Sequence, residues 1–307
     1  MLKSVAILSP VYNENETINF FLEELLQVKT ILEKKYDIHI YLVDDGSNDG
    51  TFDRDFLSFK RHQVRVVKLK KNIGHQSALF AGLQVAKTHD YIVVLDSDLQ
   101  DPPKYILEVV DLLNDGLDLV MTQRINRYDP IIKKFFAFLY YRYLKIIFQK
   151  NIVLDSGDFW GVTKQVAQEI LEHNYRQNIY FRGLLPNLRQ NFGLVKITRN
   201  QRLLGRSKYG LLSMIKLGYT GIINSSINLK KIFIKYALSI IFINSAMLGL
   251  ITYLLNITGM KELNYKTYIY TVIVQSFIIL GISVILYLRM NNSKSTIIQI
   301  EEVKYLA

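Results

Sequence analysis

The sequence predicts an α/β chain: a largely parallel sheet flanked by helices, then interfacial helices and a two-span membrane hairpin. Three observations predict it. Short apolar strands alternate with helical-period segments up to Met121, polar carboxylate-rich loops follow those strands, and two late runs carry no charge.

The elements follow in order. Val5–Leu8 reads as a buried strand, and Ile18, Phe21, Leu22, Leu25, Leu26 and Leu32 then recur at helical spacing. Ile38–Val43 is the next strand, followed by a short helix near Phe52–Leu57 and a strand at Val64–Leu69. Gln76–Ala86 is helical, Tyr91–Leu95 a strand, Lys104–Asn114 a helix and Leu117–Met121 a strand. Beyond Met121 the pattern is less regular. Residues 133–147 mix bulky aromatics with Lys133, Lys134, Arg142 and Lys145, which suits a membrane-interface helix or a core helix with a wet edge. Leu211, Leu212, Ile215, Tyr219 and Ile222 share one helical face, again for the interface or for the sheet.

Tyr236–Leu255 and Thr267–Leu288 are uncharged runs of about 20 residues, enough to cross roughly 30 Å of hydrocarbon. Only Asn256–Lys266 joins them, so they form a hairpin that returns the chain to its starting side. Lys230, Lys231 and Lys235 precede the pair and Arg289 and Lys294 follow it, which places both ends in the cytoplasm of a multi-pass plasma-membrane protein. The expected divisions are 1–208 for the catalytic domain, 209–232 for juxtamembrane helices, 233–290 for the two spans and 291–307 for a cytoplasmic tail. The N-terminal residues lack a secretory leader, and the absence of cysteine fits the cytosol.

The net charge is +11, and it is unevenly placed: no Asp or Glu lies between Glu172 and Glu262, whereas basic residues recur there. A basic segment running into a membrane span belongs against anionic lipid headgroups, so membrane lipids are expected as partners and nucleic acid is not.

In parallel α/β sheets ligands bind beyond the carboxyl ends of the strands. Those positions read Ser9-Pro10-Val11-Tyr12-Asn13-Glu14, Asp44-Asp45-Gly46-Ser47, Lys71-Asn72-Ile73-Gly74 and Asp96-Ser97-Asp98-Leu99-Gln100-Asp101. Glycine-rich phosphate loops of the G-x-G-x-x-G and G-x-x-x-x-G-K-[ST] types are absent, so a phosphate held here needs a cation. Asp96 and Asp98, with Gln100 as a third oxygen donor, suit Mg²⁺ or Mn²⁺.

These motifs, with Val43 to Thr51 and Asp96 to Pro103 in that order, resemble the family 2 glycosyltransferases of GT-A fold. Gly157-Asp158-Phe159, Phe181-Arg182-Gly183 and Arg202-x-x-Gly205-x-Ser207-Lys208-Tyr209 resemble the polyprenyl-phosphate branch. Trp160 stands where that branch often has Arg.

The resemblance implies that Pro10, Tyr12, Glu14, Asp44, Asp45 and Asn72 bind a nucleotide-sugar, with Asp96, Ser97 and Asp98 at its diphosphate. Arg124, Arg202, Arg206 and Lys208 would meet phosphate charge from donor or acceptor. Asp158, or else Asp155, would position the acceptor or take a proton. It further implies inverting transfer of one sugar, UDP-glucose being the first donor considered, to a polyprenyl (undecaprenyl) phosphate, and assembly as a homo-oligomer. Another lipid acceptor and a non-catalytic nucleotide-sugar sensor remain the alternatives.

Overall fold

The computed structural model describes residues 2–52, 64–125, 153–172, 181–189, 191–200 and 300–305, with scattered helical positions between 239 and 281. The strands are β1 (Lys3–Val11), β2 (Tyr36–Asp44), β3 (Val64–Leu69), β4 (Tyr91–Val94), β5 (Leu119–Ile125), β6 (Ser156–Thr163), β7 (Gly193–Thr198) and β8 (Ile300–Tyr305). The helices are α1 (Ile18–Leu32), α2 (His75–Ala86), α3 (Ile106–Asn114), α4 (Lys164–Glu172) and α5 (Phe181–Leu188), with a 3₁₀ turn at Pro103–Tyr105.

All eight strands form one sheet in the order β7-β5-β6-β4-β1-β2-β3-β8. Strand β1 is buried on both faces from Val5 to Val11, as its unbroken apolar run demands of a central parallel strand. It pairs in parallel with β2 and β4, and β2 with β3. One core lies under α1 and α3, built around Phe21, Leu22, Leu25, Val109 and Phe159. The other includes Leu8, Val43, Leu79, Trp160 and Phe181. Gly82 lets α2 lie close to the sheet, because a Cβ there would stand 2.4 Å from Leu8 Cδ1 and 2.8 Å from Val43 Cγ2. That close approach fixes the helix whose first residues reach the acidic edge.

The sequence reading of a largely parallel sheet is corrected in one respect. The parallel arrangement holds for β3-β2-β1-β4 and for β5 with β7, but β6 enters antiparallel between β4 and β5. Residues 300–305, within the segment expected as the cytoplasmic tail, run antiparallel to β3 and cover its outer edge. Pairing satisfies backbone groups that an open edge leaves bare.

The helix expected near 52–57, the aromatic segment 133–147 and the juxtamembrane segment 209–232 lie wholly or almost wholly outside the described residues. The chain divides into two compact units, 1–226 with 295–307, and 227–294. In the second, the described positions are helical and Phe242, Tyr253, Ile257, Tyr270 and Phe277 are exposed. Among the described residues no helix is long and apolar enough to cross a membrane.

Candidate active site

The loops beyond β1, β2, β3 and β4 are stitched together by hydrogen bonds. The Asn13 amide donates to Ser47 Oγ at 3.0 Å, the Glu14 amide to Thr51 Oγ1 at 3.0 Å, and the Asn48 amide to Asn13 Oδ1 at 2.9 Å. Asp44 Oδ1 accepts the Ser47 amide at 2.7 Å, three residues on, and so closes the turn after β2. Asp45 receives the Ile73 and Gly74 amides at 2.8 and 3.0 Å, and so carries the loop that leads into α2. Burial pushes both carboxyls upward, against these hydrogen bonds. Gly46, at φ 72°, passes so near this loop that a Cβ would lie 2.6 Å from the Asn72 nitrogen. Tyr12 leaves an exposed ring at the same edge, and Asn72 is exposed beside it.

Ser97 Oγ donates to the Pro10 carbonyl at 3.0 Å, fastening the Asp-Ser-Asp turn to β1. Leu99 is buried although its φ is 58°, so its packing holds a left-handed turn that leucine otherwise avoids. Asp98 Oδ1 accepts the Gln100 amide at 3.1 Å, and the Gln100 carbonyl accepts the Asn200 amide at 2.8 Å.

The register Val94 to Trp160, continued two residues, brings Asp158 opposite Asp96. His75, the first residue of α2, stands between them, 3.1 Å from Asp158 Oδ2 and 3.4 Å from Asp96 Oδ1. Asp158 is buried and accepts four hydrogen bonds: from Arg182 Nε (3.0 Å) and Nη2 (2.8 Å), His75 Nε2 (3.1 Å) and Gln76 Nε2 (3.1 Å). Burial opposes its charge, but Arg182 and His75 outweigh burial and hold the carboxyl far below the usual range. Burial likewise opposes charge on His75, and Asp96 and Asp158 overcome it, raising the imidazole to about 9. Asp96 is pushed up to about 6 by burial, with Asp158 and Asp98 adding to that and His75 resisting.

Among the described residues Asp96 Oδ1 is buried with no hydrogen-bond partner, His75 Nε2 standing 3.4 Å from it. An orphaned carboxylate oxygen at the end of an acidic turn fits a divalent cation, which would satisfy it. Ligand atoms of His75, Asp96 and Asp158 lie within 4.8 Å of one another. The bonds found for Gln100 are made by its backbone, whereas the sequence assigned its side chain to a metal.

Arg124 and Asp158 both have partners among the described residues. Arg124 was expected to meet phosphate, yet its guanidinium is buried against Asp101, with Nε at 3.1 Å and Nη2 at 2.5 Å. Gly157 makes room for this pair, since a Cβ there would stand 2.6 Å from Arg124 Nη2. Asp158, expected to position the acceptor or take a proton, accepts hydrogen bonds from Arg182, His75 and Gln76. Asp155 lies at φ 56° in the turn before β6, where its carbonyl accepts the Arg124 amide at 3.1 Å. Trp160 points into the core and packs on Phe181 with centroids 5.3 Å apart. Arg202, Arg206 and Lys208 lie outside the described residues. His75 and Gln76 were missed although they directly follow Asn72-x-Gly74.

Comparison with known proteins gives the family and the fold. The profile described as Glycosyl transferase family 2 matches residues 6–171. The chain is 32% identical over 223 residues to the uncharacterized glycosyltransferase YkcC of Bacillus subtilis, covering 71% of this chain and 67% of that one. It is 31% identical over 225 residues to the undecaprenyl-phosphate 4-deoxy-4-formamido-L-arabinose transferase of Serratia proteamaculans, covering 71% and 66%. It thus spans about two thirds of the length of these relatives. Among solved structures, glucosyl-3-phosphoglycerate synthase of Mycobacterium tuberculosis, in complex with Mn²⁺, UDP and phosphoglyceric acid, shares the fold. The TM-score is 0.52 at 17% identity, covering 72% of this chain and 77% of that one. The matched stretch runs from β1 into α4 and holds the acidic turn with its His75 and Asp158 partners, and the chain belongs to glycosyl transferase family 2, as a glycosyltransferase similar to the polyprenyl-phosphate branch.

Proposed function

We propose that this glycosyltransferase moves one sugar, with inversion, from a nucleotide-sugar to a polyprenyl phosphate such as undecaprenyl phosphate, at the cytoplasmic face of the membrane. UDP-glucose is the first donor to test. The observation that carries the acceptor class is the saturation of Asp158 by four hydrogen bonds. A hydroxyl acceptor needs a base at the reacting oxygen. A lipid phosphate, with a second pKa of about 6, is already largely anionic at neutral pH. The relatives named as undecaprenyl-phosphate transferases support the same acceptor.

In this reading Tyr12 stacks on the base, while Asp44 and Asp45 hold the walls of the donor pocket. Asp96 and Asp98 hold Mg²⁺ or Mn²⁺, which when bound supplies charge to stabilise the leaving diphosphate. Asp158, fixed by Arg182, orients His75 beside Asp96. Arg202, Arg206 and Lys208 offset repulsion between the two phosphates.

Residues 236–255 and 267–288 form the membrane hairpin. The exposed apolar side chains at Phe242, Tyr253 and Phe277 support it, being too many for a water-facing surface. The return of β8 to β3 also supports it, because two crossings bring the chain back to its starting side.

Release of UDP from UDP-glucose with Mn²⁺ tests the acceptor. Release stimulated by undecaprenyl phosphate but not by undecaprenol is expected, and equal stimulation by the alcohol would overturn the phosphate assignment.

A further inference from the structure

We propose that Arg199 is a phosphate-binding residue of the transfer site, gripping either the donor diphosphate or the lipid phosphate. This deepens the reading above and rests on it. Arg199 follows β7, whose parallel register with β5 ends at Ile125 and Thr198. The next residue, Asn200, donates its amide to the Gln100 carbonyl at 2.8 Å, so the backbone at Arg199 is tied to the acidic turn.

Among the described residues its hydrogen bonding is incomplete. Asp101 is the nearest carboxylate, but both its oxygens are already taken by Arg124. Arg199 Nε lies 3.6 Å from Asp101 Oδ1, outside hydrogen-bond range, and is buried without a partner. Two guanidinium groups thus share the Asp101 carboxylate, beside the turn whose Asp96 and Asp98 also favour the Arg199 cation. The Arg199 side chain keeps 32% exposure, so its head is not sealed in the core. A buried donor without an acceptor is costly unless something fills it. The planar fork of arginine matches phosphate oxygens in pairs. Burial and the neighbouring Arg124 also lower the Arg199 pKa, against Asp101, Asp98 and Asp96.

The two phosphate sources separate in one set of measurements on the full chain in detergent with Mn²⁺, comparing wild type, Arg199→Gln and Arg199→Lys. The probes are UDP, uridine and undecaprenyl phosphate. Loss of a charge-assisted contact weakens binding roughly tenfold or more. UDP affinity falling by that factor in Arg199→Gln, with uridine unchanged, assigns Arg199 to the donor diphosphate. A matching rise in KM for undecaprenyl phosphate at unchanged UDP affinity assigns it to the acceptor. In either case Arg199→Lys recovers part of the loss, since it keeps the charge without the fork. Unchanged affinity for both phosphates overturns the proposal. So does a fall in uridine binding together with the unfolding temperature, which would make Arg199 a structural partner of Asp101. The UDP arm needs no turnover, so it still reads Arg199 if undecaprenyl phosphate proves not to be the acceptor.

Discussion

At Asp101, 1% exposed, both carboxylate oxygens accept from the Arg124 guanidinium. Removing one partner of such a buried pair leaves an uncompensated charge, at a cost of about 3–5 kcal/mol. Arg124→Ala is therefore expected to lower the unfolding temperature by several degrees or more, and differential scanning fluorimetry reads it directly. His89 gives a pH signature. Its Nε2 lies 2.8 Å from the Tyr41 hydroxyl, and burial, His39 and Arg65 lower its pKa from 6.5 to about 4. The unfolded chain therefore binds this proton more readily, so the stability contribution is complete above about pH 6.5 and is lost as pH falls toward 4. Unfolding midpoints at pH 7 and pH 5 should differ less in His89→Gln than in the wild type. The Asp96-x-Asp98 pair could be read from the sequence because both residues lie in one turn after one strand. The His75–Asp158 contact could not, because its partners are 83 residues apart and meet only when β6 inserts beside β4.

The loop after β2 shows how an element can depend on one residue. Gly46 has φ 72° and faces the backbone of Lys71 and Asn72. Gly46→Ala adds about 1–2 kcal/mol of left-handed strain and pushes on the loop that Asp45 holds. Lower stability together with weaker UDP binding is expected, measured by thermal unfolding and titration calorimetry. Strands β1 to β4 were legible because buried parallel strands are continuous apolar runs between helical periods. Strand β6 was not, since Ser156-Gly157-Asp158 opens it with small and polar residues that serve the site. Strand β8 reads as Ile-Glu-Glu-Val-Lys-Tyr, a charged edge sequence whose place is set by β3 rather than by its own pattern. A Lys68→Cys, Glu302→Cys pair, opposite one another in the ladder, should form a disulfide in this otherwise cysteine-free chain. Mass spectrometry of proteolytic fragments checks it.

For the whole molecule, the sheet begins with β1 and is completed by β8, with 227–294 as a separate unit between. The proposed two-span hairpin predicts that position 258 is reached from the opposite side of the membrane to β1 and β8. A single cysteine at Thr258 should therefore label in intact cells with a membrane-impermeant maleimide, while one at Lys304 should label only after lysis. The most direct measurement of the central claim is transfer of radiolabelled sugar from a panel of nucleotide-sugars to undecaprenyl phosphate, with and without Mn²⁺, beside Asp98→Ala. The expected result is a labelled glycolipid from at least one donor, dependent on the metal and absent in the variant. Donor hydrolysis with no lipid product under any condition would contradict it.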